Sequence, residues 1–271
     1  MADISAIADR ILAARDAGKQ IAPISDGDPA FDLAAGYAVG AEVMRRRVAD
    51  GERQVGWKIG FTNRTIWDEY GVHAPIYGPM YHDTVHEVPH NEVAPGSLHG
   101  LLEPRLEPEI VFRFSRSPEP AMDVAALFDC IDGVALGFEI VQSIYPGWRF
   151  RPADTVAAFG LHGRLYHGTF SIMEGGPDRQ EWLPRLANFD LTLSRGGQVV
   201  DRGRGANVLD GPLYACRHFI AELDRIGGGR VKPGDVVTTG TITRAWPVMA
   251  GEQWTSHVEG PWLPVAFSIR F

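Results

Sequence analysis

The segment from Arg105 to Glu109, Arg-Leu-Glu-Pro-Glu, constrains the fold more than any other stretch of this chain. It runs directly into Ile110, Val111 and Phe112, which read as a buried strand. Strand residues two apart point to one side of a sheet, so Glu107 and Glu109 face the same way. Two like charges side by side repel, and burying them unpaired is costly. A third carboxylate, Glu139, stands in Gly-Phe-Glu-Ile-Val, inside a second strand-like apolar run. Three carboxylates presented by two strands make an oxygen-rich site suited to a divalent cation, Mg²⁺ or Mn²⁺. The competing reading is a solvated edge strand, because Pro is tolerated at edges and most carboxylates are exposed. Spacing alone favours the solvated face, so the rest of the chain has to decide.

Around this segment the chain divides into a leading helical part and a β-rich remainder. Ile4, Ile7, Ile11 and Leu12 share one face of a helix expected over Ile4–Ala17, with Gly18 as its stop. A loop from Pro23 to Pro29 precedes a second helix, from about Asp32 to Asp50. That helix ends in Arg45, Arg46 and Arg47, read as a solvated helix end, with Gly51 just beyond. Val55–Phe61 reads as a strand holding Lys58 among Trp57, Ile59 and glycines. Lys58 either snorkels to water or aims a cation at an anionic substrate group. Asn63 is a candidate cap for a short helix ending near Tyr70. Pro75–Asp83 reads as a loop, with His82 and Asp83 at its end.

Further strands are expected at Arg105–Phe114, Val134–Ser143, Leu161–Phe170 and Phe189–Ser194. Gly196-Gly197 is the turn of a hairpin into Val199 and Val200. Pro120–Cys130 reads as a short helix and Leu209–Ile226 as a longer one. Val236–Gly240 and the alternating Pro264–Phe271 segment close the chain as strands. This order gives one helical region, 1–52, packed on a β-rich catalytic part, 53–271, as a single unit. It lacks the alternating rhythm of a doubly wound sheet. Neither a dinucleotide fingerprint nor a phosphate-binding loop occurs, and there is no nucleophile elbow.

Composition removes several other functions. The net charge of −8 makes nucleic acid and anionic membranes poor partners. No apolar run reaches the length needed to span a bilayer. The first residues, Met-Ala-Asp-Ile-Ser, lack the features of a signal peptide, and Cys130 and Cys216 suit small buried positions in a reducing cytoplasm.

Five motifs then stand in one order: Gly-Trp-Lys-Ile-Gly-Phe-Thr-Asn, Glu-Pro-Arg-Leu-Glu-Pro-Glu-Ile-Val-Phe, Gly-Phe-Glu-Ile-Val, Asn-Val-Leu-Asp-Gly-Pro-Leu, and Lys-Pro-Gly-Asp-Val-Val-Thr-Thr-Gly-Thr-Ile-Thr. With them the chain resembles the 2-keto-4-pentenoate hydratase family of the fumarylacetoacetate hydrolase superfamily, whose relatives include 4-oxalocrotonate decarboxylases. The resemblance runs from about Ile4 to Phe271. It implies an α+β fold, with a mixed β-barrel or β-roll core and an N-terminal helical part. It also implies a homo-oligomer, pentamer or decamer, and a role in aromatic-compound catabolism. On the matching motifs, the metal carboxylates fall on Glu107, Glu109 and Glu139, and the active-site lysine on Lys58. The chain departs from the family pattern at Ala158-Phe159-Gly160-Leu161-His162, where polar pocket residues are usual, and at His82-Asp83, where paired aspartates are.

The resulting expectation is a lyase that adds water to a 2-hydroxy-2,4-dienoate and yields a 4-hydroxy-2-oxo acid. His82, Asp83 and Asp154 are the candidate bases, and Leu161 and His162 are candidate substrate contacts. Asp154 could equally cap a helix, Asp83 could sit in a turn, and His162 could be a core histidine. The alternatives are decarboxylation of a 4-oxalocrotonate-type acid, C–C hydrolysis using His73 near Glu69, and a non-catalytic partner subunit.

Overall fold

The structure, a computed structural model, describes residues 3–64, 67–89, 92–172, 179–259 and 266–271. Three helices lead: α1 (Ile4–Ala17), α2 (Ile24–Gly27) and α3 (Leu33–Ala49). Asp3 and Asp32 cap α1 and α3 by accepting the Ala6 and Ala35 N–H groups, and Gly18 ends α1 at φ 57°. Then come β1 (Gln54–Gly60), α4 (Trp67–Tyr70), β2 (Ile76–Tyr81), β3 (Val85–Val88), β4 (Val93–Pro95) and β5 (Arg105–Phe114). The middle of the chain holds α5 (Val124–Phe128), β6 (Ile131–Val141), α6 (Pro152–Ala157), β7 (His162–Gly168) and β8 (Ser171–Ile172). The last third holds α7 (Arg179–Ala187), β9 (Asp190–Arg195), β10 (Gln198–Arg204), α8 (Pro212–Ile226), β11 (Val236–Thr238), β12 (Trp246–Pro247), β13 (Gln253–Val258) and β14 (Ala266–Arg270).

Among the described residues the strands form two mixed sheets. The larger runs β2-β1-β11-β5-β6-β7-β3, with β12 also on β5 and β8 also on β6; the smaller runs β10-β9-β13-β14-β4. Phe138 of β6 packs on Phe267 of β14 with ring centroids 5.5 Å apart, which joins the two sheets. One apolar core fills the space between the sheets and α8. A second core unites α1 and α3 with residues 144–159. There Gly36 lets α3 approach α6, since a Cβ would sit 2.4 Å from the Ala153 carbonyl oxygen. The fold is therefore α+β with a β-roll core and a helical N-terminal part, as the resemblance implies.

Several sequence expectations are corrected. Pro75–Asp83 is largely strand: β2 pairs antiparallel with β1 at a sheet edge, a setting that tolerates Pro79. Pro at an edge hid a strand behind a loop signal. Arg47 is not a solvated helix end: it is buried, paired with Glu52, and stacked 3.6 Å above the Tyr81 ring. The helix expected over Pro120–Cys130 shortens to α5, capped by Asp123, and the one expected from Leu209 starts at Pro212. The proposed Asn63 cap borders residues 65 and 66, and Pro264 and Val265 belong to 260–265; these lie outside the described residues. Both cysteines are free and buried.

The edge-strand reading of Glu-Pro-Glu also fails, because β5 is central. Pro108 survives there for a local reason. Its carbonyl accepts from the Ile242 N–H. A strand residue's N and C=O point to the same side, so its missing N–H faces the same place. That place is the gap between β11 and β12: eight positions from Thr238 to Trp246 are set against only five from Val111 to Leu106. Pairing with β6 continues through Pro108, whereas the ladder on the β11 and β12 side is interrupted there, so the missing N–H leaves no ladder partner unsatisfied.

Candidate metal and active site

The register of β5 on β6 places Glu107 directly opposite Glu139 and Glu109 opposite Gly137. Like charges directly across an antiparallel pair destabilise it. Glu109 and Glu139 are fully buried and Glu107 half-buried. One oxygen from each carboxylate falls within 4.8 Å of the others.

One cation answers these charges directly. Lys58, buried on β1, brings its Nζ to 3.4 Å from Glu139 Oε2. That is an ion-pair distance without hydrogen-bond alignment, and Glu139 Oε2 and Glu109 Oε1 have no hydrogen-bond partner. The other Glu109 oxygen accepts the Gly240 N–H at 2.6 Å. His162 Nδ1 lies 2.8 Å from Glu139 Oε1 and its Nε2 lies 2.9 Å from Thr84 Oγ1.

Electrostatics follows from this imbalance. Burial alone would lower the Lys58 pKa, but Glu139, Glu107 and Glu109 together raise it. Burial, opposed mainly by Lys58, raises Glu107 to about 7. Burial and the charges of Glu139 and Glu107 hold Glu109 well above the carboxylate range. Glu139 is lowered: burial works against its charge, and Lys58 and His162 outweigh it. One lysine cannot neutralise three carboxylates. Two buried carboxylate oxygens without partners, in an all-oxygen donor set, fit a hard divalent cation.

Of the three carboxylates Glu107 opens onto a cavity of about 390 Å³, with Lys58 also in its wall. Phe61, Trp148, Phe150 and Leu161 give it an apolar side, and Arg105 and Arg244 a cationic one. Arg105 stacks 4.2 Å from the Trp148 ring. Backbone strain gathers here: Phe61, Trp148 and Leu161 hold φ of 53°, 59° and 65°, a region non-glycine residues rarely enter. The Glu103 carbonyl and carboxylate anchor the Trp148 turn by accepting the indole N–H and the Gly147 N–H.

The structure gathers Glu107, Glu109, Glu139, Lys58, Leu161 and His162, and separates the others from them. His82 and Asp83 are exposed and pair with each other at 3.1 Å. Asp154 is buried away from the cavity; it accepts from the Ser25 N–H, the Ser25 hydroxyl and the Arg151 N–H. His73 is exposed, and the Glu69 side chain is outside the described residues. Sequence reading missed Arg105 as a wall residue, although its period-two relation to Glu107 marks it. It also missed Thr84, Gly240 and Trp148. Gly240 lies in a quoted motif, but Trp148 carries no sequence signal for the site.

No protein-family model matches the chain. A 2-keto-4-pentenoate hydratase of Burkholderia vietnamiensis is 29% identical over 95% of this chain and 94% of its own. The 2-keto-4-pentenoate hydratase 2 of Dechloromonas aromatica is 30% identical over 92% of this chain and 91% of its own. The 4-oxalocrotonate decarboxylase of Pseudomonas putida G7, solved with magnesium and adipate, superposes with a TM-score of 0.87 at 26% identity, covering 99% of this chain and 97% of its own. Shared sequence over nine-tenths of both chains, with the expected carboxylates and lysine brought together, places this protein in the 2-keto-4-pentenoate hydratase family.

Proposed function

We propose that the protein is a metal-dependent hydro-lyase that adds water to a 2-hydroxy-2,4-dienoate to give a 4-hydroxy-2-oxo acid. The observation that carries this reading is the buried Glu107–Glu109–Glu139 cluster beside Lys58. Glu107, Glu109 and Glu139 would hold Mg²⁺ or Mn²⁺, which supplies Lewis-acid stabilisation of charge on the carboxylate end of a 2-oxo acid.

The remaining chemistry belongs to the chain. Lys58 keeps its proton among the carboxylates, so it presents a fixed cation at the cavity wall to the substrate's negative charge. Arg105 adds a second cation at the wall. Phe61, Trp148 and Leu161 exclude water from the substrate's hydrocarbon part, which strengthens those charge interactions. Lys58 also borders the cavity, and it serves the dienol-to-ketone step by giving its proton to a carbon of the substrate chain and taking one back from the 2-hydroxyl group. His82 and Asp83 face solvent and pair with each other, and Asp154 is held by Ser25 and Arg151, so none of them is assigned the activation of the added water.

Loss of dienol absorbance without gas release, dependent on added Mg²⁺ and abolished by chelator, is the expected result. Release of CO₂ from a 4-oxalocrotonate-type acid would instead support the second reading, a decarboxylase. Its specific support is the 0.87 TM-score to such an enzyme. Assembly into a homo-oligomer belongs to the same proposal and is tested by light scattering.

A further inference from the structure

We propose that His162 is a positioning residue for the metal site: its Nδ1–H fixes Glu139 Oε1, so that Glu139 Oε2 stays turned toward Glu107, Glu109 and Lys58. The inference rests on the metal reading of the three carboxylates and adds a residue to it. His162 belongs to the segment where the chain leaves the pattern of its relatives.

Hydrogen-bond arithmetic assigns the proton. Glu139 Oε1 lies 2.8 Å from Nδ1, and Lys58 Nζ lies 3.4 Å from the other oxygen of the same carboxylate. A carboxylate beside an ammonium is an acceptor, so Nδ1 has to donate. Thr84 Oγ1 lies 2.9 Å from Nε2 and also 2.9 Å from the Tyr81 carbonyl oxygen. Its single hydrogen goes to one of them. If it goes to Nε2, the ring is neutral with the proton on Nδ1. If it goes to Tyr81, both ring nitrogens donate. Under either arrangement Nδ1–H points at Glu139. The opposite tautomer would face two acceptors across 2.8 Å.

The anchorage of the ring is built rather than incidental. His162 is buried, and the Thr84 hydroxyl holds its far nitrogen. The Tyr81 N–H donates to Thr84 Oγ1 in turn, at 3.3 Å. The residue before it, Leu161, pays for this placement with a φ of 65°. A metal ligand held by a second hydrogen-bonding group keeps its orientation when the ion is absent, and loss of such a group usually costs about 10–100-fold in metal affinity.

The test is Mn²⁺ binding to the full chain, by calorimetry and by the paramagnetic signal of the bound ion, with no substrate present. His162→Ala should weaken Mn²⁺ binding by about 10–100-fold. His162→Asn puts an amide N–H near the Nδ1 position and should restore most of the affinity. His162→Gln, whose amide reaches the Nε2 position, should not. Wild-type binding by His162→Ala, or rescue by Gln and not by Asn, would overturn the assignment. Nitrogen NMR of the unaltered protein gives a check that needs no variant. A proton on Nδ1 is required, and its absence there refutes the proposal. Failure of wild-type protein to bind Mn²⁺ at all would instead remove the metal reading beneath it.

Discussion

Replacing Glu109 with Gln should stabilise the metal-free protein and abolish its response to metal. Glu109 is fully buried, accepts one hydrogen bond from Gly240, and leaves Oε1 unpartnered. Its pKa is raised, chiefly by burial and by Glu139 and Glu107. A raised carboxyl favours folding below the unfolded-state value and opposes it as pH climbs above. The penalty therefore grows as pH climbs from the unfolded value toward the raised folded one. Gln has the same shape. Its oxygen can keep the Gly240 bond, and its amide can donate toward the unpartnered Glu139 Oε2. Relieving one buried unsatisfied acceptor is worth about 1–3 kcal/mol. At about 2–4 °C per kcal/mol for a chain near this size, the metal-free Tm should rise by several degrees. Wild-type protein at 100 times its metal Kd should gain about 2.7 kcal/mol, and Glu109→Gln should gain nearly none. Scanning calorimetry of both proteins, in chelator and in excess Mg²⁺, reads all four values. A lower metal-free Tm for Glu109→Gln, or an undiminished metal increment, would refute the account of the cluster as a charge imbalance awaiting a cation.

Other outcomes follow from the same geometry. Lys58→Met should cut turnover of a dienol substrate by about 10²–10³-fold, as loss of a preorganised charge does, with Mg²⁺ affinity unchanged or higher in titrations. Asp154→Ala should cost about 3 kcal/mol in urea unfolding, because two buried Ser25 donors and the part-buried Arg151 N–H lose their acceptor; kcat of the folded variant should stay unchanged. His167 is buried, with its pKa lowered by burial, and Nδ1–H donates to the Gly168 carbonyl. Its stabilising contribution is full above the unfolded value of about 6.5 and declines as pH falls toward the lowered folded value, by up to about 1.4 kcal/mol per pH unit. His167→Asn should flatten the fall in stability between about pH 7.5 and pH 5.5 by one proton's worth, and an identical slope would exclude His167 as its source.

Local patterns exposed much of this fold. Asp3, Asp32, Gly18 and the glycine pair at 196 and 197 act within a few residues, so caps and turns were readable from neighbours alone. Alternation put Glu107 and Glu109 on one face, but it could not say which face was buried. That depends on β5 being central, a property of strand order that no local window contains. Resemblance along the whole chain supplied it. Pro79 concealed β2 because its permission to be a strand comes from an edge position. His82, Asp83 and Asp154 were plausible by residue type, and only folding showed two in solvent and one occupied by Ser25 and Arg151. Trp148 reaches the cavity through a left-handed turn pinned by Glu103, a long-range contact with no periodic trace.

Pro108 has a further consequence for access. Gly240, Thr241, Thr243, Arg244 and Ala245, from the surplus chain between β11 and β12, line the cavity rim. An ordinary residue at 108 would offer that segment a backbone donor beside the bond its carbonyl already accepts from Ile242, and would hold it closer to β5. A closer rim would narrow the way to Glu107. Proline withholds the donor, and the doorway stays open by default.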